Sequence, residues 1–306
     1  MTINLSGLLL PITTPFTTHE SIDGAGLSSN LSKWNAIGVT GYVVLGSTGE
    51  RVNLDEQEYL QVIEVARRGV PDSMTFIAGA GQQSTRATIK EIERAVSAGA
   101  RAALVITPSF YRSAITQAAL LDHYRAIADA AKIPILLYSM PDLTGVKIEP
   151  ETAARLSEHE NVIGIKDSSN DTDKFRQTIR VCREDFAVMI GNGTVFSDAL
   201  SAGARGGILA VGCCVPELCL EIYRAFQAND QTRANDLQSR LTPLARAVTK
   251  TYGIGGLKVA MEMSGFIGGG VRTPLRRPAP AACAEIESLL REATSATGPE
   301  AVATES

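Results

Sequence analysis

The chain has 306 residues, of which 44% are hydrophobic and 20% charged, the composition of a folded globular protein rather than a disordered one. A formal net charge of −4 leaves no basic footprint, which argues against nucleic acid or an anionic membrane surface as partner. The five cysteines form no CxxC pair and the three histidines stand far apart, so the expectation is a cytoplasmic, metal-free protein with buried thiols.

The opening MTINLSGLLLPITTPF has no positively charged n-region, and its apolar run Leu8 to Leu10 is too short for a signal or a membrane span. From there short apolar runs recur: GLLLPITT (7–14), GYVVLGST (41–48), TFIAGAG (75–81) and AALVITPS (102–109). PILLYSMP (134–141), VIGIKDSS (162–169), AVMIGNG (187–193) and GGILAVGCC (206–214) follow. Continuous rather than alternating apolar runs are the mark of parallel strands covered on both faces.

Helical patterns separate them. Residues 54–70 set Leu60, Ile63 and Ala66 on one face, and residues 84–100 repeat this with Ile89, Ile92 and Val96 before Gly99, a helix stop. Residues 117–132 and 149–160 continue the series, the latter opening with Pro150 in its first turn. Eightfold strand–helix alternation predicts an α/β fold, a (β/α)₈ TIM barrel. A doubly wound open sheet is the runner-up, but no GxGxxG follows the first strand. The expected organisation is a barrel over 1–225, an appended C-terminal helical region over 226–293, and a disordered tail over 294–306.

One of these strands, VIGIK, ends in Lys166. An isolated lysine there is ordinarily a strand surfacing into solvent, yet a desolvated amine is also a nucleophile. Barrels of this type carry their chemistry at the C-terminal ends of the strands. Those ends hold Ser47 and Thr48 in GSTGE, Tyr111 after Thr107-Pro108, Tyr138 and Ser139 in YSMP, and Lys166 with Ser168 in KDSS. Gly191 in the seventh run and Ile208 in the eighth complete the substrate-facing set. Singly each has a blander reading: a capped turn, a packing aromatic, a strand stopped by proline. Together they form a coherent chemistry. A neutral lysine attacks a ketone and loses water to give an iminium, an electron sink for the adjacent C–C bond. The Ser47-Thr48 turn offers N–H groups and hydroxyls to a carboxylate, and the Tyr138 phenol shuttles a proton. The set describes a class I aldolase acting on a 2-oxo acid.

GSTGE, YSMP and GIKDSS, in that order, resemble the dihydrodipicolinate synthase/N-acetylneuraminate lyase family over about residues 5–280. The resemblance implies Lys166 as Schiff-base nucleophile, Tyr138 as proton relay, Ser47 and Thr48 as carboxylate site, no cofactor, and a homotetramer built as a dimer of dimers. Leu143 stands where dihydrodipicolinate synthases place an arginine for the aldehyde's carboxylate, and Gly193 and Thr194 where sialic acid lyases place acids. Both branches are therefore disfavoured, and YSMPDLTG, Ser168 and TYGIGGLKVAME (251–262) point to the 4-hydroxy-2-oxoglutarate aldolase branch, although Thr48 replaces its usual asparagine. The family's second tyrosine, which reaches in from a neighbouring subunit, falls at Phe110, leaving Tyr111 as its substitute.

The expected activity is thus that of a carbon–carbon lyase cleaving a 4-hydroxy-2-oxo acid, leading with 4-hydroxy-2-oxoglutarate, to pyruvate and an aldehyde such as glyoxylate. Arg112, just after Phe110-Tyr111, is a candidate to pair with a second carboxylate, although an exposed loop arginine is the ordinary reading. Alternatives are a 2-keto-3-deoxy sugar acid aldolase and a dihydrodipicolinate synthase-like or non-catalytic pyruvate-binding barrel. A metal-dependent pyruvate aldolase is disfavoured by the lack of clustered His, Asp and Glu at the strand ends.

Overall fold

The computed structural model describes residues 3–295. Eight parallel strands close into a barrel in chain order: β1 (Gly7–Pro11), β2 (Gly41–Val44), β3 (Thr75–Ala80), β4 (Ala102–Ile106), β5 (Ile135–Ser139), β6 (Val162–Asp167), β7 (Ala187–Ile190) and β8 (Gly206–Ile208). β1 closes the ring by pairing Leu9 with Gly41 of β2 on one edge and with Ile208 of β8 on the other.

Successive side chains of a strand point to opposite faces, and here both faces are apolar. Leu9, Val43, Ile77, Leu104, Leu136, Met189 and Ile208 fill the barrel interior. Their neighbours Leu8, Leu10, Tyr42 and Val44 face outward into the layer beneath the helices. This alternation fixes which residues of each strand end can reach a site in the barrel mouth.

The helices on the barrel are α1 (Gly24–Asn35), α2 (Glu56–Gly69), α3 (Thr85–Ser97), α4 (Gln117–Ala130), the short α5 (Pro141–Thr144), α6 (Pro150–Ser157), α7 (Thr172–Val181), α8 (Phe196–Ser201) and α9 (Pro216–Gln227). Their starts follow from side-chain caps, which satisfy the free N–H groups of a first turn. Asp55 accepts from Glu58 N while the Glu58 carboxylate accepts from Asp55 N, a reciprocal cap for α2. Ser84, Thr116 and Asp171 cap α3, α4 and α7 in the simpler one-way manner. Pro150 opens α6, and Gly99 leaves α3 with a φ of 102°, as the sequence predicts.

The helical stripes are rotated from those expected. α2 buries Tyr59, Val62, Ile63 and Ala66, with Leu60 only half-buried, because the Tyr59 hydroxyl reaches the Gly79 carbonyl 3.0 Å away on β3. α3 buries Thr88, Glu91, Ile92 and Ala95, leaving Ile89 and Val96 at the margin. Glu91 is drawn inward by Arg51, 2.6 Å away, and by the Gly81 N–H.

Beyond the barrel run α10 (Gln231–Arg246), a π-helical turn (Ala247–Thr251), α11 (Gly253–Met263) and α12 (Pro280–Thr294). α12 packs on α10 and α11, so the expected tail loses Thr294 to a helix; residues 296–306 lie outside the described residues. Cys213, Cys214 and Cys219 are buried free thiols. Among the described residues no helix is long and apolar enough to cross a membrane, and no cluster of three or more potential metal ligands occurs.

Candidate active site

β5 and β6 pair Tyr138 directly with Lys166. Tyr138 belongs to the interior set, so its cross-strand partner points inward too. Lys166 is only 3% exposed, and its Nζ lies 4.4 Å from the centre of the Tyr138 ring. The phenol oxygen is 2.9 Å from Ser47 Oγ. Burial, the largest single influence on that phenol, raises its pKa. The Lys166 charge and hydrogen bonding by Ser47, Ser168 and Lys166 together outweigh it, and the group sits below the ordinary tyrosine range.

Ser47 and Thr48 occupy a single 3-10 turn (Ser47–Gly49) just past β2. Two non-glycine residues with positive φ bracket it, Leu45 at 57° and Glu50 at 54°. Such conformations persist only where the surroundings over-determine them. Glu50 supplies the reason on one side. Its carboxylate is buried and accepts from Lys258 Nζ at 2.7 Å, from the Arg272 N–H at 3.0 Å and from Asn53 Nδ2 at 3.5 Å.

On the far side of Lys166, Gly191 follows β7, and its N–H donates to the Asp167 carbonyl at 2.7 Å. A Cβ built on Gly191 would stand 2.0 Å from Ser168 Oγ and 2.8 Å from Lys166 Cε. The absent side chain is therefore what leaves room for the lysine. Ile208 is fully buried in the barrel interior with Tyr138.

Two members of the predicted set lie elsewhere. Ser139, next to Tyr138, alternates to the outer face of β5, where its hydroxyl accepts from the Ile148 N–H at 3.3 Å. Tyr111 is 71% exposed on the loop after β4, edge-on to Phe110 at 5.0 Å and apart from Tyr138 and Lys166. Gln83 holds that loop through N–H bonds from Ser109 and Phe110, both 2.9 Å.

Sequence reasoning missed Lys258 and Glu50 as a pair, each with a side chain 1% exposed. The signal was present: Lys258 interrupts the apolar stretch GIGGLKVAM just as Lys166 ends VIGIK. It also missed how Arg112 lies. A Cβ on Gly145, whose φ is 67°, would meet Arg112 Cδ at 2.6 Å and its Nη1 at 2.9 Å. The guanidinium thus rests over the turn that follows Leu143, itself 63% exposed.

The model of the dihydrodipicolinate synthetase family matches residues 4–293. A 4-hydroxy-tetrahydrodipicolinate synthase from Methanopyrus kandleri is 36% identical over 90% of this chain and 92% of its own. One from Methanothrix thermoacetophila is 33% identical over 95% and 98% respectively. Among solved structures, a monomeric dihydrodipicolinate synthase variant superposes with a TM-score of 0.89 at 29% identity, covering 94% of this chain and 96% of that one. A prophage protein of the dihydrodipicolinic acid synthase family from E. coli K12, solved in complex with pyruvate, gives 0.88 at 25% identity, covering 94% and 98%.

These relatives correct the expected activity. Seven curated relatives at 31–36% identity are 4-hydroxy-tetrahydrodipicolinate synthases, not 4-hydroxy-2-oxoglutarate aldolases. The exclusion drawn from Leu143 took one position as the sole source of a cation; in the structure the Arg112 guanidinium lies beside the same turn.

Proposed function

The chain belongs to the dihydrodipicolinate synthetase family, and from that premise we propose that it is a carbon–carbon lyase of the dihydrodipicolinate synthase type, joining pyruvate to an aldehyde through an imine on Lys166. The observation that carries this reading is the register of Tyr138 with Lys166, with the Ser47 hydroxyl 2.9 Å from the phenol.

The chemistry proceeds in balanced steps. The unprotonated Lys166 amine adds to the carbonyl carbon of pyruvate, and the carbinolamine loses water to give an iminium. A methyl proton then leaves, and the resulting enamine carbon attacks the aldehyde. The amino group carried by the aldehyde then adds to the new iminium carbon and displaces the Lys166 amine, which closes the ring and restores the lysine. Tyr138 carries the proton to and from the departing oxygen, its lowered pKa suiting it to exchange in both directions. The N–H groups and hydroxyls of the Ser47–Thr48 turn receive the pyruvate carboxylate, and Ser168 and Gly191 flank the lysine. A dipicolinate-type product bears two carboxylates. Pyruvate brings one, the aldehyde the other, and Arg112 is the guanidinium we assign to the second.

Tyr111 serves this scheme only if its loop enters the mouth of another subunit. The exposed Val52, Phe110 and Tyr111 support contact with another subunit, and the assembly we propose is a homotetramer, whose mass light scattering would report. The accessory helical region of this proposal runs from α10 to the end of α12, Gln231 to Thr294, since the expected start at 226 falls inside α9, and we place the protein in the cytoplasm.

Borohydride reduction with pyruvate present, followed by peptide mass analysis, tests the reading. A pyruvyl adduct on Lys166, absent from Lys166→Ala, supports it. No adduct on the folded protein would overturn it.

A further inference from the structure

Every N–H of the Lys258 ammonium is committed. It donates to Glu50 Oε1 at 2.7 Å, to the Thr14 carbonyl at 2.7 Å and to the Gly270 carbonyl at 2.5 Å. No donor is left for a ligand, so the residue cannot act on substrate directly. Its partners nevertheless lead to the pyruvate-binding turn by two routes. One is the Glu50 side chain, whose backbone closes that turn by donating N–H to the Ser47 carbonyl at 3.2 Å. The other is Thr14, whose carbonyl Lys258 holds and whose hydroxyl donates to the Gly49 carbonyl at 2.8 Å. Gly49 and Glu50, the two residues that follow Ser47 and Thr48, both hang from one ammonium on α11.

Stability alone gives no reason for this arrangement. A buried ion pair is commonly matched or bettered by apolar side chains of the same volume. What an apolar pair cannot do is hold a non-glycine residue at positive φ with directed bonds to both carboxylate oxygens. The Phe16 ring locks the assembly further, with Lys258 Nζ 4.6 Å and Arg272 Cζ 4.4 Å from its centre. Arg272 in turn grips both oxygens of Glu58, at 2.5 and 2.8 Å, on the helix that follows the turn.

We infer that Glu50 and Lys258 are positioning residues, through which α11 sets where Ser47 and Thr48 meet the pyruvate carboxylate. This rests on the proposed function, since it names how that carboxylate site is held. The C-terminal helical region is then part of the site's construction and not a support for the barrel's exterior.

The test compares two variants with the parent protein: Lys258→Met/Glu50→Leu, which replaces the pair by apolar volume, and the isosteric Glu50→Gln. Thermal melting reports the fold, and borohydride trapping across a range of pyruvate concentrations reports half-saturation and limiting rate separately. The expected result is a double variant that stays folded yet needs about tenfold or more pyruvate for half-saturation, as displaced binding groups require. Its melt is lowered by the unpaired Thr14 and Gly270 carbonyls and Arg272 N–H. Glu50→Gln is expected to shift half-saturation in the same direction by a smaller factor, and it decides the matter if the double variant does not fold. A folded variant that half-saturates like the parent would overturn the inference and leave the pair a structural brace. Parent protein that traps no pyruvate at all would instead overturn the proposed function.

Discussion

Replacing Gly191 by alanine is the sharpest probe of the lysine's placement. The new Cβ would lie 2.0 Å from Ser168 Oγ and 2.8 Å from Lys166 Cε. Carbon atoms settle at about 3.5–4.0 Å, so the lysine carbon must retreat by roughly 1 Å. The serine hydroxyl can rotate away, but the lysine is enclosed on its other side by the Tyr138 ring, 4.4 Å from Nζ. Gly191 does not have a left-handed backbone, so alanine adds bulk there without backbone strain. Overpacking of this kind costs about 1–3 kcal/mol of stability, while a misplacement of ~1 Å at a reacting group slows the reaction roughly 100-fold. The assay is the rate of borohydride-trapped pyruvate on folded Gly191→Ala, with Ser168→Ala/Gly191→Ala alongside. Both variants are expected to be slow, because removing the hydroxyl leaves the clash with Cε. Trapping at the parent rate in Gly191→Ala would refute the steric argument, and recovery in the double variant would move the conflict from the lysine to the serine.

Tyr138→Phe keeps the ring beside Lys166 but removes the relay, so turnover should drop about 10²- to 10⁴-fold, with a stability loss of roughly 1 kcal/mol from the lost Ser47 bond. Because that phenol sits below its ordinary range, the parent's turnover should decline with rising pH earlier than an ordinary tyrosine would allow, a limb that the pH–rate profile of the variant should lack. Arg112→Ala should leave pyruvate trapping intact and raise KM for a carboxylate-bearing aldehyde more than for an uncharged one; equal effects on both would remove Arg112 from the site. Burial pushes His123 from 6.5 down to about 4. The unfolded chain therefore takes up this proton near 6.5 and the folded chain only near 4, so the stability tied to the neutral imidazole is complete above 6.5 and lost as pH falls towards 4. Over that window the loss is roughly 3 kcal/mol, and urea melts of His123→Phe at stepped pH should show a flatter acid slope than the parent.

The barrel was legible because parallel strands buried on both faces cannot disguise their composition: β1 to β8 each fall inside a predicted apolar run. That Lys166 and Tyr138 meet was legible for a related reason, since strand ends in a barrel converge whatever the loops do. The helix faces were less so. Periodicity alone favours Leu60 and Ile89, whereas the packed stripe is decided by long-range partners such as the Gly79 carbonyl above Tyr59 and Arg51 beside Glu91. Ser139 shows the limit of reading a motif as a block, because neighbours on a strand face opposite ways. The substrate assignment failed at Leu143, because one position was read as the only possible source of a cation, while the Arg112 side chain reaches the Gly145 turn from another loop. Lys258 was visible as a charge in an apolar helix, but its partner Glu50 lies 208 positions away.

Barrel closure has a consequence for how the protein is made. Gly7 and Leu9 pair with Gly206 and Ile208, so one edge of the first strand stays open until the eighth has left the ribosome. At ordinary elongation rates those roughly 200 intervening residues take on the order of 10–40 s. Asn30, in the first helix, waits longer still, for its two bonds of 2.8 and 2.7 Å to the backbone of Ile267. Through that interval the nascent chain carries unpaired strand edges flanked by apolar side chains, the form of polypeptide most prone to pair with a neighbour. Synthesis rate and chaperone supply, more than the stability of the finished barrel, should therefore govern its soluble yield. A chain released before residue 206 should aggregate instead of persisting as a half-barrel.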